Sequence, residues 1–118
     1  MHEKFTARER IKRKKDFNNL YKKGKRINSR YFTLIFIPNK LDYSRVAIGV
    51  SKSIGKSVKR NKIKRWFREL FRRNKDLFTV PLDVLFLAKK EILEIDWKEL
   101  LGEYKKAITT ACQKTKIE

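Results

Sequence analysis

Residue types that build catalytic and metal centres are scarce in this chain. Its 118 residues include one histidine and one cysteine, so the clusters of His and Cys that bind zinc cannot form. No P-loop or GxGxxG loop occurs among its four glycines, and the carboxylates show no spacing typical of a two-metal nuclease centre. The single cysteine, Cys112, excludes an intrachain disulfide, and its place at the end of an apolar stripe predicts a core residue. We therefore expect no catalytic residue, no metal site and no small-molecule substrate for the protein alone.

Long apolar runs are also missing from the sequence. The sequence contains no run of about eighteen apolar residues, the length needed to span a membrane. The charged N-terminus also lacks the apolar segment of a signal peptide. We expect a cytoplasmic protein without a membrane partner.

What the chain has in excess is positive charge, and that charge is unevenly placed. The net charge is +19. Residues 1–75 hold 25 Lys or Arg against 5 Asp or Glu, a balance of +20, whereas residues 76–118 hold 7 against 8, a balance of −1. The hydrophobic content of 41% and the chain length predict one folded domain over residues 1–118. Self-repulsion of this charge opposes folding, so we expect a polyanionic partner, with nucleic acid as the leading candidate.

Residues 56–73 combine strong positive charge with a clear apolar stripe. Nine of these residues are Lys or Arg. Five apolar side chains fall within a helical arc about 140° wide, the pattern of an amphipathic helix: Ile63, Trp66, Phe67, Leu70 and Phe71. The opposite arc holds five cations, with Glu69 as the only acid among them: Lys62, Lys64, Arg65, Arg68 and Arg72. A solvated face usually mixes both signs, so we expect this face to meet an anion, with a solvated surface as the alternative.

The start of this helix predicts an anion site. Lys56, Lys59 and Arg60 oppose the helix dipole there, which destabilises an isolated helix. A bound phosphate would reverse that effect, because the free N–H groups of the first turn also attract anions.

The N-terminal region is predicted to hold a basic arm and a short helix. Residues 1–15 are rich in Lys and Arg, with Phe5 and Ile11 as isolated apolar anchors and no helical stripe, so we expect a flexible arm. Asp16 is a plausible N-cap, and Gly24 can end the helix in the left-handed conformation. One helix face carries three apolar residues: Phe17, Leu20 and Tyr21. These residues either pack onto the core or stack on RNA bases.

Three segments are predicted to be strands. Residues 31–37 and 45–51 are expected to form a hairpin, and residues 84–88 are an apolar run that fits a third strand. Alternation in the first strand assigns three residues to the core: Phe32, Leu34 and Phe36. Its other face would then carry Tyr31, Thr33 and Ile35 beside small residues of the second strand. That face either leaves room for a ligand or simply admits the short helix closely.

A helix opened by Asp96 completes the predicted elements, with Glu99 at the capping-box position. Its apolar face runs from Trp97 to Ala111 and its charges are mixed in sign, so we assign it a structural role. RNA is favoured over DNA as the partner, because no helix-turn-helix is present and the aromatic residues lie near a sheet. The residues alone therefore predict a basic RNA-binding α+β domain.

Two motifs resemble those of the bacterial ribonuclease P protein component. GVSKSIGKSVKRNKIKRWFRE, residues 49–69, is similar to the signature of that family, in which a strand ending in VSK precedes a helix with R-N-x-x-K-R-x-x-R. All five specified positions of the helical part match: Arg60, Asn61, Lys64, Arg65 and Arg68. KRKKDFNNLYKKGKR, residues 12–26, resembles an earlier pattern of the family, with Phe17, Tyr21 and Gly24 in place.

The resemblance implies a fold and a function. The fold would be a single two-layer sandwich in the order α-β-β-β-α-β-α, with the sheet packed against the basic helix and the C-terminal helix and a short extra strand near residues 26–30. The function would be 5′ maturation of precursor tRNA, in which the RNA subunit with bound Mg²⁺ cleaves while the protein docks on that RNA and holds the 5′ leader. A structural RNA-binding protein of ribosomal type is the alternative; a protein-only nuclease and a DNA-binding regulator rank lower.

The resemblance also implies two sets of site residues. The first set, which would bind the RNA subunit, comprises Lys56, Arg60, Asn61, Lys64, Arg65 and Arg68. The second set, which would bind the leader, comprises Phe17, Tyr21, Tyr31, Thr33 and Ile35. Some relatives have Tyr where this chain has Ile35, and Tyr31 is expected to compensate.

Overall fold

The computed structural model describes residues 6–117. Three helices are present, α1 (Lys14–Lys23), α2 (Ser57–Arg73) and α3 (Trp97–Ile117). Four strands are present, β1 (Lys25–Asn28), β2 (Phe32–Pro38), β3 (Arg45–Gly49) and β4 (Leu82–Ala88). The predicted order α-β-β-β-α-β-α is confirmed, and β1 is the short extra strand.

The strands form one sheet in the order β1-β2-β4-β3. β2 is antiparallel to both β1 and β4, whereas β3 is parallel to β4. The predicted hairpin of residues 31–37 and 45–51 is therefore wrong, because β4 lies between those two strands. The reason is that β3 continues through α2 into β4, and such a helical crossover places two strands side by side in parallel. β4 takes the inner position that its continuous apolar run favours.

The main core lies between one face of the sheet and the helices α2 and α3, which confirms the predicted packing. Phe32, Leu34 and Phe36 are buried there, as their alternation predicts. They meet the apolar stripe of α2, of which four residues are buried and Trp66 is half-buried. Cys112 is also buried in this core, as expected. Phe67 and Tyr104 stack on the ring of Phe86 from β4, with centroid distances of 4.8 and 5.3 Å.

α1 covers part of the opposite face of the sheet. A small buried cluster of Leu20, Ile35 and Leu85 joins it to β2 and β4. Gly24 ends α1, but its φ of −68° is not left-handed, so that detail of the prediction is wrong. Glycine is needed there for space: a Cβ atom would lie 2.5 Å from the Leu20 carbonyl oxygen and 2.6 Å from Cγ2 of Ile35.

The N-terminal segment is folded where the structure describes it, which corrects the prediction of a flexible arm for residues 6–15 of the predicted 1–15. Ala7–Glu9 forms a 3₁₀ turn, and Arg10 forms a bridge to Val46 at the edge of β3. The Ile11 amide then donates to the Val46 carbonyl at 3.1 Å. α1 begins at Lys14, so Arg13 rather than Asp16 is its N-cap. Residues 1–5, including His2, lie outside the described residues.

Candidate nucleic-acid interface

A groove lies where α1, β3 and α2 meet, and it encloses about 250 Å³. We call it the leader groove, after the ligand that the resemblance implies for Phe17, and define it by its eight lining residues: Arg10, Ile11, Phe17, Val46, Ala47, Ile48, Lys64 and Arg68. Phe17 was predicted for one site and Lys64 and Arg68 for another, yet the three line the same groove. An aromatic ring beside cations is the combination that binds single-stranded nucleic acid.

An ion-pair network positions Phe17 at this groove. Asp16 precedes it in the first turn of α1 and bonds to Nη1 of Arg45 on β3 at 3.4 Å. Arg45 also donates from Nε to Oδ1 of the buried Asp83 on β4 at 2.9 Å, and from Nη2 to the other carboxylate oxygen. The hydrogen bonds to Asp83 raise the pKa of Arg45 above its ordinary value. Asp16 therefore fixes α1 to the sheet instead of capping the helix.

The apolar face of α1 divides between core and surface. Leu20 is fully buried, whereas Phe17 is 36% exposed and Tyr21 is 48% exposed. The guanidinium of Arg26 on β1 lies 4.9 Å from the centroid of the Tyr21 ring. Leu20 packs onto the core, as one alternative predicts. The two aromatic rings remain accessible, and their stacking on RNA bases stays a prediction.

Four of the five residues predicted to bind the leader, Tyr21 among them, do not line the groove. Ile35 is 0% exposed beneath α1, so its side chain cannot contact a ligand and the prediction is wrong for this residue. Tyr31 precedes β2 and its hydroxyl donates to Glu99 of α3 at 3.0 Å, on the side of the main core. The Glu99 carboxylate also raises the pKa of Tyr31. Tyr31 therefore does not compensate for Ile35 as expected.

Thr33 faces β1 rather than the groove. Its hydroxyl donates to Oδ1 of Asn28 at 2.9 Å. The second face of β2 is covered by α1, which favours the alternative that this face admits the short helix closely. The open surface is displaced to β3, whose Val46, Ala47 and Ile48 line the groove.

The residues predicted to bind the RNA subunit are spread around α2. Lys64 and Arg68 line the groove. Lys56, Asn61 and Arg65 are exposed, and Arg60 donates from Nε to the Gly55 carbonyl at 3.2 Å. Residues 57–68 contain no acid, so the field at the start of α2 is of one sign.

Glu69 acts only on the last turn of α2. Its carboxylate pairs with Arg72 at 2.7 Å and with Arg73 at 2.9 Å. The hydrogen bond from Arg72 is the main cause that lowers the pKa of Glu69. The single acid therefore offsets cations at the C-terminal end and leaves the first three turns unneutralised.

A buried carboxylate fastens the N-terminal segment beside the groove. Oε1 of Glu9 accepts hydrogen bonds from the Thr6 amide and hydroxyl, both at 2.8 Å, and from Nζ of Lys75 at 2.9 Å. Glu9 is only 6% exposed. Burial alone raises the pKa of Glu9, but the bonds from Thr6 and Lys75 outweigh it and the net pKa is lowered.

This contact was missed from the sequence, although Thr6 and Glu9 have the spacing of a capping box. Its consequence is local. With Glu9 held, the chain reaches the edge of β3, and Arg10 and Ile11 become part of the groove lining.

Within residues 6–117, no three His, Cys, Asp or Glu side chains are grouped so as to hold a metal ion. Nor does that part of the chain contain a helix that is long and apolar enough to cross a membrane. The arrangement that is present, an aromatic ring beside cations at the edge strand β3, is suited to binding a ligand.

Comparisons with known proteins show which family the chain resembles. The family model for ribonuclease P matches residues 5–112. The chain is 44% identical over 94 residues to the ribonuclease P protein component of Thermotoga maritima, covering 80% of each chain. It is 35% identical over 108 residues to that of Petrotoga mobilis, covering 88% of this chain and 92% of the relative.

A solved structure shows the same fold. The RNase P protein from Thermotoga maritima superimposes with a TM-score of 0.79 at 33% identity, covering 86% of this chain and 96% of that one. The residues matched by the family model include α1, β3 and α2, which form the groove.

Proposed function

The chain belongs to the ribonuclease P protein component family, and from this membership we propose that it binds the catalytic RNA and the 5′ leader of precursor tRNA. As a member of that family it is a subunit of an endoribonuclease and a partner of an RNA subunit. In our proposal the RNA subunit, with its bound Mg²⁺, cleaves the phosphodiester bond. The protein holds no Mg²⁺ of its own and supplies no catalytic residue. Because precursor tRNA is made in the bacterial cytoplasm, we place the protein there.

The leader groove is the observation that carries this proposal. It joins the accessible ring of Phe17 with the cations Lys64 and Arg68 beside the edge strand β3. A single strand of RNA can stack a base on Phe17 while its phosphates meet the two cations. A folded RNA helix does not present its bases in this way, so the groove favours the unpaired leader.

The exposed start of α2 supports binding of the RNA subunit. Lys56, Asn61 and Arg65 are exposed there, and Asn61 and Arg65 are neighbours at i and i+4 on the helix. The cations attract phosphates, whereas Asn61 is uncharged and can both donate and accept hydrogen bonds. We therefore assign Asn61 a specific hydrogen bond to the RNA, and Asn61→Ala should weaken binding of the RNA subunit by about 1 kcal/mol.

Electrostatic attraction should make binding strongly dependent on salt. If six to ten phosphates are neutralised, the affinity should fall by about 10³ to 10⁵ between 50 and 200 mM salt. A shallow dependence would contradict the proposal. The protein would in this way reduce the repulsion between the RNA subunit and its substrate.

Cleavage of precursor tRNA in the presence of Mg²⁺ tests the proposal. The protein, the RNA subunit of a bacterial ribonuclease P, and the two together are compared on the same precursor. We expect the mixture to remove the leader at Mg²⁺ concentrations where either component alone is slow. Cleavage by the protein alone would instead indicate a protein nuclease. No effect of the protein in any mixture would indicate a structural RNA-binding protein of ribosomal type.

A further inference from the structure

α2 carries a second cavity on the flank that faces away from the leader groove. It encloses about 150 Å³ between α2 and the 3₁₀ turn Lys90–Glu94. Its apolar floor consists of Ile63, Ile92 and Ile95, all of which are buried. Leu93 stands at the rim and is 40% exposed, although it is a large apolar residue. We call this cavity the tryptophan pocket, because Trp66 forms one of its walls.

The aromatic wall of the tryptophan pocket is held in place. Trp66 is half-buried and packs edge-on against Trp97 of α3, with a centroid distance of 5.8 Å and an interplanar angle of 82°. Nζ of Lys62 lies 5.1 Å from the centroid of the Trp66 ring. A cation–π contact at an exposed site is weak, so Lys62 can turn to an incoming phosphate and uncover the ring.

The charge at the pocket matches a polyanion. Lys59 and Lys62 both line it, and among the described residues no acidic side chain does. Both lysines lie in the part of α2 without acids, continuous with the surface proposed to meet the RNA subunit. An apolar floor with an aromatic wall and a cationic rim suits a base and its phosphates better than it suits a phosphate alone.

The size of the pocket limits which ligands it can hold. Cavities that bind drug-sized molecules enclose roughly 300 to 1,000 Å³, so about 150 Å³ is room for a single ring system. A helix of a protein partner, or the face of a second copy, needs a longer groove to bury its apolar side chains. One flat base that projects from a nucleic-acid backbone fits these limits.

We propose that the tryptophan pocket binds one unpaired nucleobase of the RNA subunit, stacked against Trp66, with Lys59 and Lys62 contacting the adjacent phosphates. This inference rests on the proposed function and deepens it. α2 would then contact RNA on two flanks, with the leader in the groove and a fixed base of the RNA subunit in the tryptophan pocket.

Tryptophan fluorescence tests the proposal directly. The chain has two tryptophans, so Trp97→Phe leaves Trp66 as the only one. Titration of that variant with the RNA subunit should quench the emission, because a stacked base quenches indole. The matched variant Trp66→Phe reports from Trp97, and we expect clearly less quenching there. An oligoadenylate and an abasic oligonucleotide of equal length serve as second probes, and only the oligoadenylate should quench Trp66.

Affinity measurements complete the test. Trp66→Leu should weaken binding of the RNA subunit by about five- to 150-fold, the range expected for loss of one stacked base. Leu93→Ala changes an exposed side chain and keeps the fold, and it should weaken binding in the same direction by a smaller factor. Lys59→Met with Lys62→Met should weaken binding more than the matched pair Lys105→Met with Lys106→Met on α3. The preference for precursor over mature tRNA should not change in any of these variants.

The outcomes separate this inference from the proposed function. Steeply salt-dependent binding of the RNA subunit, with no quenching of Trp66 and no loss in Trp66→Leu or Leu93→Ala, overturns the pocket and leaves the proposed function intact. Equal quenching by the abasic probe would show that the pocket binds a phosphate and not a base, which overturns the inference. A change in oligomeric state caused by Leu93→Ala without RNA overturns it in favour of a contact between protein copies. Absence of any binding of the RNA subunit overturns both.

Discussion

The two faces of the sheet differ in how completely they are covered. The face beneath α2 and α3 is closed by a continuous core in which aromatic rings from β2, α2, β4 and α3 pack together. Within the described residues, the other face is covered by α1 and by Ile11 of the N-terminal segment, over a buried cluster of three residues. That incomplete cover leaves the leader groove beside β3. Stability is therefore concentrated on the covered face, whereas the partly open face is the one proposed to bind the leader.

The largest effect is expected on stability, when a phenylalanine is replaced by alanine on each of the two faces. Phe67→Ala removes a fully buried ring from the closed face, and the free energy of unfolding should fall by about 3 to 5 kcal/mol. Phe17→Ala removes a partly exposed ring beside the groove, and the fall should be roughly 1 kcal/mol or less. Urea denaturation of both variants measures the difference. Equal losses would mean that α1 is as essential to the core as α2.

For RNA binding, we expect Phe17→Ala to have a larger effect than Phe67→Ala, the reverse of their order for stability. Phe17→Ala should weaken binding of precursor tRNA by roughly 1 to 3 kcal/mol, because a base of the leader loses its stacking partner. Binding of mature tRNA, which has no leader, should be unchanged. Tyr21→Ala is the comparison variant, since Tyr21 is exposed on α1 but does not line the groove. Equal weakening of binding for precursor and mature tRNA would indicate that Phe17 has only a structural role.

The contact that holds the N-terminal segment should respond to pH. The folded-state pKa of Glu9 is lowered, so its contribution is present above the unfolded pKa and is lost as the pH falls through the folded pKa. Glu9→Gln removes the charge, and we expect it to reduce the free energy of unfolding by about 1 to 2 kcal/mol at pH 7. The gap between wild type and Glu9→Gln should close in acid. Urea denaturation across pH checks this, and a gap that does not change with pH would contradict it.

A smaller effect should separate a groove cation from a cation on the closed side. Lys64→Met should reduce the salt slope of precursor binding by about one unit, because one phosphate contact is lost. The matched variant Lys105→Met changes an exposed lysine of α3 and should leave the slope unchanged. Titrations at several salt concentrations give both slopes. A similar decrease in the two variants would show that the net charge, rather than the groove, determines binding.

Local patterns in the sequence predict much of this molecule. The apolar stripe of α2, the alternation of Phe32, Leu34 and Phe36, and the capped helix after Asp96 all appear as expected, with the Asp96 carboxylate accepting from the Glu99 amide at 2.8 Å. Periodicity succeeds in these cases because residues that share a face are close in sequence, and their burial follows from the helix or strand repeat. The uneven charge likewise points to a polyanion without knowledge of the fold.

The candidate site depends on contacts between distant segments. Insertion of β4 between β2 and β3 leaves β3 at the edge, and the groove forms there rather than on β2. The same topology buries Ile35 beneath α1 and turns Tyr31 to α3, while it brings Phe17 beside Lys64 and Arg68.

Glu9 and Lys75 are separated by 66 positions in the chain, so no local sequence pattern predicts that they are in contact. Patterns within one segment specify which side chains share a face. Which faces then meet is decided by strand order and helix packing, because those minimise the exposed apolar surface of the whole chain and not of any one segment.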